Sequence, residues 1–232
     1  MMRRLAVLFG LLLVAGSAFA DETYQPTARS QPVARIDAVD YVEVLAPDLA
    51  RLQAEDTLAE AMDLAPRFAV PNAVSLRPSK RGTWERLPDG RLLWRLRVLA
   101  RGALSLNLGF SRYHMSPGGR LVVHSGDGKQ VMRAFTAADN EDHGELWTPL
   151  VLADDLIVEL TVPEAEREQV ELELGSINYG YRGFGDKSPL SGACNMDVEC
   201  LPQAYPWRDQ VRAVGVISTG GSTFCTGSLL ND

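Results

Sequence analysis

Cysteine is scarce in this chain: of 232 residues only Cys194, Cys200 and Cys225 carry a thiol, and all three fall within the last 40. Their C-x5-C spacing, with every histidine far away in sequence, does not fit a zinc site, so no metal is expected. Histidine is equally rare. His114, His124 and His143 stand beside neither a G-x-S-x-G turn nor an H-E-x-x-H helix, the motifs that would mark a hydrolase nucleophile or a zinc protease. The apolar run 5–14, broken only by Gly10, is too short to span a bilayer, which leaves no stable membrane anchor. Cations are outnumbered: a net charge of −7 and a pI near 5.1 exclude general binding to nucleic acid or anionic membranes, which needs clustered Lys and Arg.

What remains is an ordinary globular composition, 46% hydrophobic, with room for one or two domains. The amino terminus has a purpose of its own. Met1-Met2-Arg3-Arg4 is a short cationic start, the apolar run follows, and Ala18-Phe19-Ala20 is a small-residue site just before Asp21. Together they make a secretory signal peptide, residues 1–20, cut between Ala20 and Asp21, and so a protein secreted to the periplasm or the medium. In that oxidising setting an odd cysteine count signals a partner elsewhere or a free thiol.

Residues 21–80 form the next segment. After a polar lead-in to about Pro32, residues 33–45 alternate loosely and predict an extended piece. Beyond Pro47, the residues Leu49, Leu52, Leu58, Ala61 and Met62 predict helix with a core-facing stripe. Asp48 caps the first turn, Asp56-Thr57 are placed to cap a second helix, and Pro66 ends the run. Two short extended pieces broken by prolines follow, 68–71 and 74–78.

The strongest periodicity lies in 81–180. Residues 83–87 and 91–99 flank Pro88-Asp89-Gly90, a turn by fixed φ, side-chain capping and free φ in succession. Leu92, Trp94, Leu96 and Val98 alternate with Arg91, Arg95 and Arg97, which predicts an antiparallel strand with one wet, arginine-bearing face. Further strands are expected from Leu104 to Phe110, over 120–125 and 130–135, and in the alternations around 156–162 and 170–174. An acidic loop, 137–144, offers Asp139, Glu141, Asp142 and His143 but matches no EF-hand, so a solvated loop is expected. The fold class is mainly β, an antiparallel β-sandwich with a small helical amino-terminal part, because a single sheet cannot hide one face from water.

Residues 179–189, with alternating glycines, read as a linker whose aromatic residues could instead dock on a folded part; it carries Lys187-Ser188. After it come two β-rich runs, 211–218 and 223–230, around Thr219-Gly220-Gly221-Ser222, a hairpin by its Gly-Gly pair. Ser228, in Thr226-Gly227-Ser228, falls within the second run rather than on an exposed turn.

This last part is informative about family. Ser191-Gly192-Ala193-Cys194-Asn195-Met196-Asp197-Val198-Glu199-Cys200 and Trp207-Arg208-Asp209-Gln210-Val211-Arg212-Ala213-Val214-Gly215 resemble the start of mature bacterial lysyl endopeptidases. Phe224-Cys225-Thr226-Gly227-Ser228-Leu229-Leu230 resembles the strand that precedes the catalytic histidine in trypsin-like serine proteases. The resemblance implies that 191–232 open a trypsin-like double β-barrel, with the catalytic Ser, His and Asp further along and none in these residues. It implies that Cys194, Cys200 and Cys225 pair with cysteines beyond the chain given; pairing of Cys194 with Cys200 is the alternative. It implies maturation at Lys187-Ser188 within a linker, 181–190, a preceding propeptide that aids folding or inhibits, and an enzyme that cuts proteins or peptides after lysine without a cofactor. A second reading is an exported, non-enzymatic sandwich that binds carbohydrate or cell-surface material through Trp84, Trp94 and Trp147.

Overall fold

The computed structural model describes residues 25–183, the strands Val214–Thr219 and Ser222–Ser228, and the single positions Pro206, Gln210 and Ala213. In chain order the elements are β1 (Tyr41–Glu43), helix α1 (Leu49–Ala61), β2 (Ala69–Leu76), β3 (Thr83–Arg86), β4 (Leu92–Leu99), β5 (Ser105–His114), β6 (Arg120–Ser125), β7 (Leu146–Trp147), β8 (Asp155–Val162), β9 (Glu171–Gly180), β10 (Val214–Thr219) and β11 (Ser222–Ser228). Short 3-10 turns lie at Thr27–Arg29, Ile36–Ala38, Ala137–Asp139 and Glu164–Gln169.

Two sheets enclose one core. The first runs β1-β4-β8-β6 with β3 also on β4; the second runs β2-β9-β5-β7. Alternation sets the inward rows. Trp94, Leu160 and Leu121 lie in register across the first sheet, then Leu96, Val158 and Val123. Across the second, Leu106 faces Tyr179, Leu108 faces Ile177 and Phe110 faces Leu174. All of these are buried and belong to one cluster spanning both sheets, and burial of that apolar surface holds the sandwich together. The expected strand 120–125 is β6, and the Pro88-Asp89-Gly90 turn forms with Gly90 at φ +86° and Asp89 Oδ1 accepting from the Arg91 amide.

Several expectations need correction. The sheets are not wholly antiparallel, because β1 pairs parallel to β4. Residues 33–45 supply only that short strand, after the Ile36–Ala38 turn. The pieces expected at 68–71 and 74–78 are one strand, β2; Pro71 is tolerated because β2 is an edge. Residues 130–135 make only isolated bridges, Val131 to His124 and Phe135 to Leu121. Tyr179 and Gly180 belong to β9 rather than to a linker.

Helix α1 is continuous. Asp48 caps it, its Oδ1 accepting from the Arg51 amide at 3.0 Å, but there is no second cap at Asp56. The helix ends before Pro66 because Asp63 takes φ +55°, the left-handed cap conformation. Of the expected stripe Leu52 is buried, while Leu49, Leu58 and Met62 are exposed. At about 100° per residue Leu58 sits two-thirds of a turn from Leu52, so the two cannot share a face.

The arginine face of β4 is the largest departure. Arg95 is only 2% exposed, because the amino-terminal segment 26–38 lies across the outer side of this sheet as a strap. The Thr27 amide and hydroxyl donate to Glu159 Oε2 at 2.9 and 2.7 Å. The Ala34 amide donates to Glu85 Oε1 at 2.6 Å, and the Ala34 carbonyl accepts from Arg95 Nη2 at 2.8 Å. Arg95 also pairs with Glu85. Period-two alternation showed which residues turn outward; it carried no sign of the strap that covers Arg95.

Candidate functional site

The residues with a predicted role lie mostly outside the described ones: Ala20 and Asp21, Lys187 and Ser188, Cys194 and Cys200. Cys225 stands on β11 opposite Ile217, and its side chain is not among those described. The hairpin forms as expected, with Thr219 opposite Ser222 across Gly220-Gly221 and Phe224 left over where the register shifts at Ile217/Ser218.

What the structure does place is the exit of the chain from the sandwich. Just past β9, the amides of Tyr181 and Arg182 donate to the Phe68 carbonyl, continuing the pairing beyond Gly180. Tyr181 Oη donates to Asp56 Oδ2 at 2.5 Å, and Arg67 bridges the two, its Nη2 2.8 Å from Asp56 Oδ1 and its Nε 3.0 Å from Tyr181 Oη. Arg182 Nη1 reaches Glu60 Oε1 at 2.6 Å. Helix α1 supplies Asp56 and Glu60 at i and i+4, one above the other on one face. Burial, then the hydrogen bond to Asp56, pushes the Tyr181 hydroxyl up to about 12, so it stays protonated and donating. Tyr181, one aromatic residue of the expected linker, is thus docked on the sandwich, six positions before Lys187.

No described histidine is arranged to activate a serine. His124 Nδ1 donates to the Ser125 carbonyl at 2.8 Å, its Nε2 lies 3.6 Å from Glu159 Oε1, and the Ser125 hydroxyl donates to Asp127. Burial raises the Glu159 carboxyl, but His124 and the Thr27 donors outweigh it and hold the group below its ordinary value. His143 Nδ1 accepts from the Glu145 amide, and His114 is exposed on β5. Asp139 of the acidic loop is committed to a capping box with Thr136 and an ion pair with Arg133, and no cluster suited to a metal ion occurs among the described residues.

The three tryptophans do not form a platform. Trp94 is in the core, Trp84 lies beneath the Arg167 guanidinium at 4.6 Å, and Trp147, half exposed, stacks over Gly109.

The organisation into a sandwich, a short interval and a second β segment is matched by family comparisons. A family model described as the lysyl endopeptidase N-terminal domain matches residues 38–179, and one described as the lysyl endopeptidase C-terminal domain matches 189–232. The chain belongs to the lysyl endopeptidase family. A protein of Pseudomonas aeruginosa named lysyl endopeptidase is 32% identical over 169 residues, 64% of this chain and 36% of the relative. The chain therefore spans about a third of that relative's length. For this lysyl endopeptidase family member, the first match corresponds to the sandwich and closes on its last strand, at Tyr179. Lys187 falls in the interval between the two matches. Sequence reasoning missed the Asp56–Arg67–Tyr181 clamp, since three residues so far apart give no periodic signal.

Proposed function

We propose that this chain is the amino-terminal part of a secreted serine endopeptidase that cuts after lysine. In this reading residues 1–20 direct export and are removed between Ala20 and Asp21. The segment 21–187 is a propeptide that assists folding or keeps the enzyme inactive, and Ser188 begins the mature protease, whose first strands include β10 and β11. Cys194, Cys200 and Cys225 form disulfides with later parts of the barrel, and the Ser/His/Asp triad comes from there as well. Acyl transfer by such a triad needs no cofactor: the histidine takes the serine proton, and two hydrogen-bond donors hold the oxyanion.

The observation that carries this reading is the position of Lys187. The first family match ends at residue 179, close to the Tyr181 and Arg182 contacts, the second starts at residue 189, and Lys187 is the single lysine after Lys129. A protease selective for lysine would therefore find its own maturation bond in the interval between the two matched domains. The test is amino-terminal sequencing of the secreted products of the full-length gene, with Lys187→Gln alongside. Mature protein beginning at Ser188, and its loss in the variant, are expected; a mature end elsewhere, or unaltered processing of the variant, overturns the assignment.

A further inference from the structure

One cavity of the sandwich is used by nothing described so far. It opens at the end of the core near the start of β9, holds about 230 Å³, and is walled by Trp84 with Leu160 and Leu172 on its apolar side. Arg77, Arg112 and Arg167 stand around it, with Glu168 and Glu171 on the same rim. At that size it lies below the roughly 300–1,000 Å³ typical of sites for drug-sized ligands, and suits a side chain or two of a peptide. Three guanidinium groups converge here against two lining carboxylates, on a chain of net charge −7. They are only partly neutralised: Arg77 pairs with Glu173 at 2.6 Å, but Arg112 reaches Glu171 and Glu173 only at 3.6 and 3.7 Å while 61% exposed. Arg167 has no carboxylate within ion-pair distance among the described residues and rests on the Trp84 ring. The site therefore favours a strand that alternates apolar and acidic residues.

We propose that this pocket holds the segment Met196-Asp197-Val198-Glu199 of the same chain, with an apolar side chain against Trp84 and Leu172 and the two carboxylates on Arg112 and Arg167. The sequence has the required alternation. Reach permits it as well. From Gly183 to Val198 is fifteen residues, up to about 50 Å when extended, whereas running back along the ten-residue β9 to the pocket takes about 33 Å. The proposal deepens the reading of 189–232 as the opening of the protease and rests on it. It gives the sandwich a grip on the neck of the enzyme domain, independent of the bond at Lys187.

Charge reversal in the intact precursor tests this, read by backbone hydrogen exchange at residues 195–200. Arg112→Glu with Arg167→Glu is expected to speed exchange there about tenfold or more, as is Asp197→Arg with Glu199→Arg, and combining the four changes is expected to restore protection. Unchanged exchange in either reversed precursor, or no restoration in the combination, overturns the proposal. A second measurement needs no variant. Raising salt from about 0.1 M to about 1 M shortens the screening length from about 10 Å to about 3 Å, so protection in the unaltered precursor should fall; salt-independent protection is the contrary result. Because exchange is read before cleavage, a mature end other than Ser188 refutes the maturation assignment without touching this outcome.

Discussion

Tyr181 and Asp56 are 125 positions apart in sequence, yet the Tyr181 hydroxyl donates to the Asp56 carboxylate at 2.5 Å and so fastens the exit of the sandwich to helix α1. Removing the hydroxyl in Tyr181→Phe takes away a bond to a charged acceptor, although Arg67 continues to neutralise Asp56. We expect a loss of about 1–2 kcal/mol in urea unfolding of the protein. The folded hydroxyl titrates above the unfolded one, so its contribution is complete below pH 10 and disappears as pH rises towards about 12. Tyr181→Phe should therefore also flatten the alkaline fall in stability; an unchanged fall would count against the clamp.

Gly82 separates two costs that other glycines mix. It has φ +90°, and a Cβ there would meet Trp94 Nε1 at 2.0 Å, with Trp94 itself buried and donating to the Arg81 carbonyl. Gly90 has a similar φ, +86°, but nothing within 4 Å. Gly82→Ala should cost at least about 3 kcal/mol, while Gly90→Ala costs about 1 kcal/mol, the backbone part alone. Equal costs in thermal or urea unfolding would mean that the Trp94 contact does not constrain the site.

Acid stability should depend on Asp40. A bidentate hydrogen bond from Arg81, opposed by burial and helped by the Gly82 amide, lowers its carboxyl to about 2. Because the folded value lies below the unfolded one, the stabilisation is present above pH 4 and lost as pH falls towards 2. The side chain is 34% exposed, so solvent screening reduces the contribution to about 1 kcal/mol. Asp40→Asn is expected to lower stability by that amount near neutrality and to make the acid limb shallower. Parallel limbs in the two proteins would exclude it.

The strap is testable through the buried ion pair beneath it. Arg95→Met leaves Glu85 without its cation and should cost about 3–5 kcal/mol, with faster proteolysis around residues 26–36. Replacing both partners, Arg95→Met with Glu85→Leu, should recover most of this. About 1–2 kcal/mol is lost for good, since the Ala34 amide and carbonyl each lose a partner. If the double variant were as unstable as the single one, the pair would not be what holds the strap.

How far the sequence carried the reading differs from element to element. Strands such as β6 and the Pro88-Asp89-Gly90 turn follow from alternation and turn chemistry, which act over a few residues. Arg95 shows where that stops: alternation turned it outward correctly, but its burial depends on the segment around Ala34, some sixty residues earlier in the chain. Asp56 misled for a related reason, since a carboxylate followed by threonine looks like a cap until Arg67 and Tyr181 are brought to it by the fold. At the proposed maturation bond, local sequence marked Lys187 as a lysine in a polar stretch. Only its likeness to a known family gave that lysine a role.

In the second sheet, β9 lies between β2 and β5, although it is the last of these strands in the chain. β2 and β5 therefore have no common partner until the chain has been made as far as Gly180. The strand that completes the second sheet is thus also the one nearest in sequence to Ser188, eight positions on, so whatever follows leaves from the middle of that sheet rather than from an edge.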